Sequence, residues 1–294
     1  MLQVLANSIV YASEIAIIAV GVALTYSILR FANFAHIQYA VVGGYLTYSL
    51  TLAGLPLAAA IAGSAAATGA LAVIVDRLVF RPLRGISPEG KMIVSWGVAL
   101  LLRSLVAAVY GGAARVFDVA AEPVVVAGAI VTTLDIAVVA TTVAAMVVLQ
   151  ALLFRTRLGT ALRALASDRD LAETRGIPAE AMTALMWFVA GAFAAVGGTL
   201  FALETRLQPS MDLVILLPVF AAATIGGLGS VRGAVAGAFV LSLAQNLAIA
   251  VDFGALVSDR SWYLPTQFRD TIAVAALVLV MILRPRAGAL AGAR

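Results

Sequence analysis

Residues 129–154 read AIVTTLDIAVVATTVAAMVVLQALLF, and Asp135 is the only charged residue in this run. A helix that crosses the ~30 Å hydrocarbon layer of a bilayer needs about 20 predominantly apolar residues, so the run is long enough to span a membrane. The whole chain of 294 residues agrees, since 63% of its residues are hydrophobic and 12% are charged. Soluble domains are about 45–50% apolar and about 25% charged. The sequence therefore predicts a membrane protein and excludes an ordinary water-soluble enzyme.

Similar apolar runs recur along the whole chain. The predicted spans are Ile9–Leu29, Phe34–Leu52, Pro56–Val79, Met92–Tyr110, Ala129–Phe154, Ala181–Leu203, Leu213–Ile225, Val231–Ala250 and Gln267–Leu283. The run Leu213–Ile225 is short for a full crossing, so it either crosses or re-enters. Because the runs lack the alternation of barrel strands, we predict an all-α polytopic membrane protein. It has about eight or nine transmembrane or re-entrant helices in a single domain over residues 1–294.

The basic residues gather in three connections between the predicted spans. These are Arg77, Arg81, Arg84 and Lys91 in the first connection, Arg155, Arg157, Arg163, Arg169 and Arg175 in the second, and Arg284, Arg286 and Arg294 after the last span. The positive-inside rule places all three in the cytoplasm, which puts the N-terminus outside and the C-terminus in the cytoplasm. A net charge of +4 that is distributed between apolar runs sets orientation, so no nucleic-acid partner is predicted.

The chain lacks the residues that most enzymes and metal sites need. It has no cysteine and one histidine, His36, which excludes thiolate and multi-histidine metal centres. It also lacks HExxH, GxSxG and P-loop motifs. We therefore predict that it is not an enzyme and carries no catalytic residue, metal site or cofactor.

Buried mid-span acidic residues would indicate an ion-coupled secondary transporter, which is a different class of function. The nearest candidates, Glu14 and Asp135, lie at the ends of predicted spans. We expect Glu14 to reach the outer membrane interface and assign it no proton coupling. Trp187 falls early in a span and is expected to lie at the inner interface. Gly43 and Gly198 belong to small-residue sites that favour close helix packing.

Residues 155–180 read RTRLGTALRALASDRDLAETRGIPAE, a charged segment in which leucine and alanine recur at helical spacing. Ser167 or Asp168 is placed to cap a helix over residues 169–175, with Gly176 as its end. The segment is predicted to form a short amphipathic helix at the cytoplasmic membrane face. It serves either as a lipid anchor or as a docking helix for a cytoplasmic partner. Its acidic residues favour docking, because an anchor on an anionic leaflet would be basic throughout.

Two further motifs interrupt the apolar pattern. Asn33, His36 and Gln38 form a polar break between two spans. They either cap helix ends, with Asn33 as N-cap of the second span, or line a transport pathway with freed backbone groups. The Gly226–Ser230 run, GGLGS, lacks the Lys-Ser/Thr of a nucleotide loop and predicts a tight turn between two half-helices. The positive end of the helix that begins near Val231 is then placed to face a substrate carboxylate.

The stretch from Arg155 to Leu200 resembles the coupling segment and following helix of branched-chain amino acid ABC transporter permeases of the LivH type. The resemblance runs nearly end to end, through Asn33-Phe34-Ala35-His36, Arg81-Pro82-Leu83-Arg84, Tyr110-Gly111-Gly112, Gly226–Ser230 with Gly233-Ala234, and Arg284-Pro285. Three positions depart from the family pattern, which are Ile37-Gln38 after the first motif, Arg232 after the glycine motif, and Arg286-Ala287-Gly288 at the C-terminus. The first departure lies near the expected pathway, so it bears on the substrate more than on the family.

The resemblance implies the membrane subunit of an ATP-driven importer that forms half of a translocation pathway. Implied partners are a homologous second permease (as heterodimer or homodimer), two ABC ATPase subunits that hold Mg-ATP, and a periplasmic or extracellular substrate-binding protein, all at a bacterial cytoplasmic membrane. Branched-chain or related hydrophobic amino acids are the implied substrates, with urea or short amides as the alternative.

Two groups of residues follow as predicted sites. The predicted substrate pathway comprises Asn33, His36, Gln38, Gly226, Gly227, Gly229 and Ser230. The predicted ATPase-coupling residues, within the segment 155–180, are Arg163, Asp168, Arg169, Asp170, Glu173 and Gly176.

Overall fold

The computed structural model describes residues 1–252 and 262–283. The helices in this part of the chain are α1 (Leu2–Leu29), α2 (Ala35–Leu52), α3 (Leu57–Val75, continued by a π-helical turn Asp76–Phe80), α4 (Pro88–Tyr110), α5 (Thr133–Arg155), α6 (Arg157–Ser167), α7 (Arg169–Thr174), α8 (Ala179–Glu204), α9 (Met211–Gly226), α10 (Val231–Ala250) and α11 (Arg269–Leu283). Every predicted span falls on a helix, except that the first four residues of Ala129–Phe154 form a β-strand before α5 begins at Thr133. The predicted basic cluster Arg284, Arg286 and Arg294 lies outside the described residues.

Six of the described helices are long and apolar enough to cross a membrane. They are Leu2–Leu29, Leu57–Phe80, Pro88–Tyr110, Thr133–Arg155, Ala179–Glu204 and Val231–Ala250. Helix α2 has 18 residues but a more polar composition, and α9 has 16 residues, which is about 24 Å at 1.5 Å per residue. The protein is thus a multi-pass helical membrane protein.

Helix α1 begins at Leu2 rather than at the predicted Ile9, and this shift changes the position of Glu14. The Ser8 and Ser13 hydroxyls donate back to carbonyls one turn earlier, at 2.7 and 2.8 Å, so these polar side chains are satisfied within the helix. Glu14 therefore falls in the fourth turn and is 3% exposed. The expectation that it reaches the outer interface is wrong.

A short hairpin is the one β-sheet among the described residues, and it departs from the all-α prediction. Strands β1 (Pro123–Val126) and β2 (Ala129–Thr132) pair antiparallel around Ala127 and Gly128, which both have positive φ, as a two-residue type I′ turn requires. The Gln3 side chain holds the hairpin against α1, since its amide bonds the Ile130 carbonyl and N–H, each at 2.9 Å.

Helix α1 forms the centre of the core and packs mainly against α10, α8, α5 and α9, with every residue from 12 to 25 buried. The predicted packing role of the glycines is confirmed where α2 meets α8. A Cβ on Gly198 would lie 2.0 Å from the Ala40 carbonyl oxygen, and one on Gly43 would lie 2.2 Å from Ala195 Cα. The two backbones approach more closely there than any side chain allows.

Trp187 belongs to the same core rather than to a membrane interface, so that prediction is wrong. The side chain is fully buried and stacks on Phe80 with a centroid distance of 5.2 Å. The face of α8 that carries Trp187 points at the π-helical turn and at Tyr39 of α2. The position of Trp187 near the start of a span does not reveal which face of the helix it occupies.

Candidate coupling surface and transport pathway

Several helix ends converge at one end of the bundle, here called the basic end. The C-terminal end of α1 meets the coupling helix α6 there, because Arg30 Nη2 donates to the Ala166 carbonyl at 2.7 Å. The start of α2 meets α4, because Phe34 N–H donates to Ser95 Oγ at 3.1 Å. The basic end therefore joins the first two basic connections predicted from the sequence.

The segment 155–180 forms two helices, α6 and α7, where the sequence indicated one. The chain becomes extended at Asp168 (φ −152°, ψ 113°), whose carboxylate accepts the Leu171 N–H at 3.0 Å and caps α7. Gly176 ends this region with φ +80°. The predicted cap and the predicted stop are both confirmed.

Helices α6 and α7 bury one face and expose another. Leu162, Leu165 and Ala172 are buried. Leu171 is 55% exposed, and its neighbours Asp170 and Glu173 are exposed as well. The free face of α7 thus carries an apolar side chain between acidic ones, a pattern suited to a protein partner.

Glu180 organises the charges at the basic end, although the sequence singled it out only as the last residue of the segment. Its carboxylate accepts Arg81 Nε at 3.1 Å, Arg169 Nη2 at 3.1 Å, and also Arg84 Nη1. Three stretches of chain, the connection after α3, helix α7 and the start of α8, are therefore tied to one side chain.

Arg84 extends this network into the protein. Its Nη2 lies 3.4 Å from Oδ2 of Asp76, a residue that is 2% exposed. Burial lowers the pKa of Arg84 and the Asp76 carboxylate opposes that shift, so the guanidinium remains charged. The Arg84–Asp76 pair anchors the surface network to the π-helical turn.

Asn33, His36 and Gln38, three predicted pathway residues, are fully buried. His36 Nε2 lies 3.2 Å from the Ile18 carbonyl, which fixes the proton on Nε2 because a carbonyl only accepts. Within the described residues, His36 Nδ1, Asn33 Nδ2 and both polar atoms of the Gln38 amide have no hydrogen-bond partner. The polar break is therefore a set of under-satisfied groups in the interior.

One of the two roles predicted for Asn33, the cap at the start of α2, is confirmed. Asn33 Oδ1 accepts the Ala35 N–H at 3.2 Å, and Phe34 already has helical dihedral angles (φ −68°, ψ −27°), so Asn33 occupies the N-cap position. The Phe34 N–H, which has no acceptor within the helix, donates to Ser95 Oγ.

The predicted turn at Gly226–Ser230 joins α9 to α10 as expected. Gly227 and Gly229 have φ of +97° and +91°, which favour glycine. A Cβ on Gly226 would lie 1.8 Å from the Gly233 carbonyl oxygen, so the two helices leave the turn in backbone contact. Ser230 Oγ accepts the Gly233 N–H at 3.0 Å and caps α10.

This turn lies at the basic end and shares a cavity with the coupling helix. Gly229, Arg232 and Arg163 line a cavity of about 280 Å³. The guanidinium carbons of Arg163 and Arg232 lie 4.6 and 4.7 Å from the centroid of the Phe154 ring. The structure thus brings a predicted pathway motif next to a predicted coupling residue, while His36 packs in the interior against α1.

A second polar region was missed from the sequence. It lies at the other end of the bundle, here called the opposite end, where α1 begins and α8 finishes. A cavity of about 470 Å³ there is lined by Glu14, Asp135, Glu204, Asn246, Arg269 and neighbouring residues. These side chains come from α1, α5, α8, α10 and α11, and the only sequence signal was that each is polar within or beside an apolar run.

Comparison with known proteins settles the family. The family model described as the branched-chain amino acid transport system permease component matches residues 4–283. The chain belongs to this family. The resemblance inferred from the sequence motifs is thereby confirmed, and the protein is a membrane-embedded transport permease.

This permease is similar to curated relatives over nearly its full length. It is 28% identical over 304 residues to the high-affinity branched-chain amino acid transport system permease protein LivH of Escherichia coli, covering 97% of this chain and 94% of the relative. It is 28% identical over 300 residues to the corresponding protein BraD of Pseudomonas aeruginosa, with the same coverage. It is also 28% identical over 259 residues to a probable LivH permease of Methanocaldococcus jannaschii, covering 83% and 80%.

Proposed function

We propose that this permease forms half of the translocation pathway of an ATP-driven ABC importer for branched-chain or related hydrophobic amino acids. Family membership supports the transport role. The chain has no nucleotide-binding loop, so separate ATPase subunits supply the Mg-ATP chemistry and this chain carries no cofactor. The remaining partners are a second permease subunit and a periplasmic or extracellular substrate-binding protein.

The basic end is proposed to face the cytoplasm of a bacterial inner membrane. The positive-inside rule favours this side for the arginines of the first two connections. It follows that the N-terminus lies outside and the C-terminus lies inside. This orientation requires an odd number of crossings, and the nine apolar helices of the described residues supply it when each of them crosses once.

The observation that carries the ATPase-docking role is the arrangement around Glu180. Three arginines converge on this carboxylate and hold α7 against α8 and the connection after α3. The outward face of α7 stays free, with Leu171 exposed between acidic residues. A rigidly held helix with a free mixed face transmits a push from a partner better than a loose loop does.

A charge reversal on this face tests the proposal. Asp170 is exposed and forms no ion pair within the described residues, whereas Asp168 caps α7, so reversal at Asp170 leaves the helix intact. We expect Asp170→Lys, combined with Leu171→Ser, to reduce copurification of the ATPase subunits at least about tenfold, as loss of a contact worth about 1.4 kcal/mol does. Asp118→Lys, at an exposed position at the opposite end, is the matched control.

The same preparation separates the alternatives. Wild-type permease with its copurifying subunits, in proteoliposomes with the binding protein, is expected to take up leucine only with ATP. Normal ATPase association in the α7 variant would favour the lipid-anchor role of the segment. Uptake by this chain alone, driven by an ion gradient, would overturn the importer assignment in favour of secondary transport, and uptake of urea or amides instead of leucine would reassign the substrate.

A further inference from the structure

The cavity at the opposite end combines charged groups with an apolar wall. Its volume of about 470 Å³ lies in the range of small-molecule sites, which are about 300–1,000 Å³. Val10, Phe201 and Val214 supply apolar lining, while Glu14 and Arg269 supply charges of opposite sign. Six helices contribute, which are α1, α5, α8, α9, α10 and α11, so the cavity is formed by the whole bundle.

Glu14 is the most deeply buried charged group of this cavity. The residue is 3% exposed, and its Oε1 is buried without a hydrogen-bond partner in the described part of the chain. An unpartnered carboxylate oxygen inside a membrane protein is costly. By contrast, the Asp135 carboxylate is occupied by the capping box of α5, where it accepts the Thr132 N–H at 2.6 Å.

Arg269 faces the same cavity and is also without a carboxylate partner. No acidic side chain among the described residues lies within 4 Å of it. Its guanidinium stacks at 3.7 Å on the Tyr11 ring, and its Nη2 lies 3.4 Å from Asn246 Oδ1. Its Nε is buried and unpartnered. A positive and a negative group therefore line one cavity without neutralising each other.

We infer that this cavity binds the zwitterionic head group of a hydrophobic amino acid, with Glu14 receiving the α-ammonium and Arg269 the α-carboxylate. The inference rests on the proposed function, which makes the opposite end the outer face where substrate arrives. The apolar lining then receives the side chain.

Leucine uptake by the complete transporter tests the two charged groups. The binding protein, ATP and L-leucine are present throughout, and the subunit composition is checked for each variant. We expect Glu14→Gln and Arg269→Gln each to lower uptake at least about tenfold, the size of one lost charge-assisted hydrogen bond. Glu122→Gln removes an exposed carboxylate outside the cavity and is expected to leave uptake unchanged.

A labelling experiment measures occupancy directly and does not depend on the variants that remove charge. The chain has no cysteine, so Thr205→Cys, at an exposed position lining the cavity, introduces a single thiol. We expect L-leucine to slow its reaction with a methanethiosulfonate reagent several-fold. 4-Methylpentanoate, which lacks the ammonium, is expected to have no effect, and Ala121→Cys, outside the cavity, to be insensitive to both.

The outcomes separate this inference from the proposed function. ATP-driven leucine uptake that is unchanged in Glu14→Gln, or protection by 4-methylpentanoate as strong as by leucine, would overturn the inference and leave the importer intact. A Na⁺ requirement for uptake that disappears in Glu14→Gln would assign the cavity to a coupled cation instead. Failure of the wild-type transporter to take up leucine with ATP would overturn both.

Discussion

The two ends of this permease use their few charges in opposite ways. At the basic end Glu180 is shared by three arginines, and Arg84 also reaches buried Asp76. At the opposite end Glu14 and Arg269 line one cavity, and neither pairs with the other. Paired charges hold chain segments together, whereas unpaired buried charges cost stability and remain available to a ligand. The difference separates the network of paired charges around Glu180 at the basic end from the unpaired Glu14 and Arg269 in the cavity of the opposite end.

The largest effect is expected where the basic end depends on backbone contact. Gly226→Val places a Cβ only 1.8 Å from the Gly233 carbonyl oxygen. Helices α9 and α10 then have to separate, and we expect folded protein to be lost. Gly227→Ala meets no atom within 4 Å and only bears the strain of φ +97°, about 1–2 kcal/mol. Size-exclusion profiles and thermal unfolding in detergent compare the two; equal unfolding temperatures would show that the turn is not tightly packed.

A second large effect tests whether a charge pair also stabilises the bundle at the opposite end, where α9 begins. Arg103 of α4 pairs with Asp212 of α9, whose side chain is 8% exposed. Asp212→Asn leaves a mostly buried guanidinium unpaired and is expected to lower the free energy of unfolding by about 3–5 kcal/mol. Replacing both residues with leucine is expected to recover most of that loss. If the double variant is no more stable than Asp212→Asn, the loss in the single variant does not come from the unpaired guanidinium.

A moderate effect is expected from the Glu180 network. Glu180→Gln removes the shared charge, whereas Glu173→Gln removes one exposed pair with Arg169 at 3.0 Å. Hydrogen exchange of the α7 amides measures both. We expect the free energy of opening of the α7 amides to fall by about 1–2 kcal/mol in Glu180→Gln and by about 0.3–0.5 kcal/mol in Glu173→Gln. The difference between the two variants is expected to become smaller in high salt, which screens the charges. Identical exchange in the two variants would contradict the network.

The smallest effect is expected in the cavity of the opposite end, and its sign is reversed. Glu14→Gln removes an unpartnered buried charge, so the unfolding temperature is expected to rise slightly, by an amount equivalent to about 1 kcal/mol or less. The same variant is expected to lose leucine uptake. A clear fall in the unfolding temperature would mean that Glu14 serves the fold and would weaken the contrast between the ends.

Local signals were enough to predict much of this structure. Each of the nine apolar runs contains a helix, although the run that begins at Ala129 starts with a β-strand. Asp168 and Gly176 delimit α7 as their residue types indicate. Errors arose where a tertiary contact overrides the local pattern. Helix α1 begins at Leu2, where Gln3 bonds Ile130 of the β-hairpin, and Trp187 lies in the core because α8 turns that face toward Phe80.

The sequence by itself determined the membrane class, the helical spans, the helical character of the segment 155–180 and the family, because these follow from composition and from spacing between near neighbours. Only the tertiary structure decided which charges are paired. Glu180 meets Arg84 across 96 positions, and Glu14 shares a cavity with Arg269 from the other end of the chain. The sequence shows that a residue is charged but does not show whether an opposite charge lies beside it, because the fold alone sets the distance between residues that are far apart in the chain.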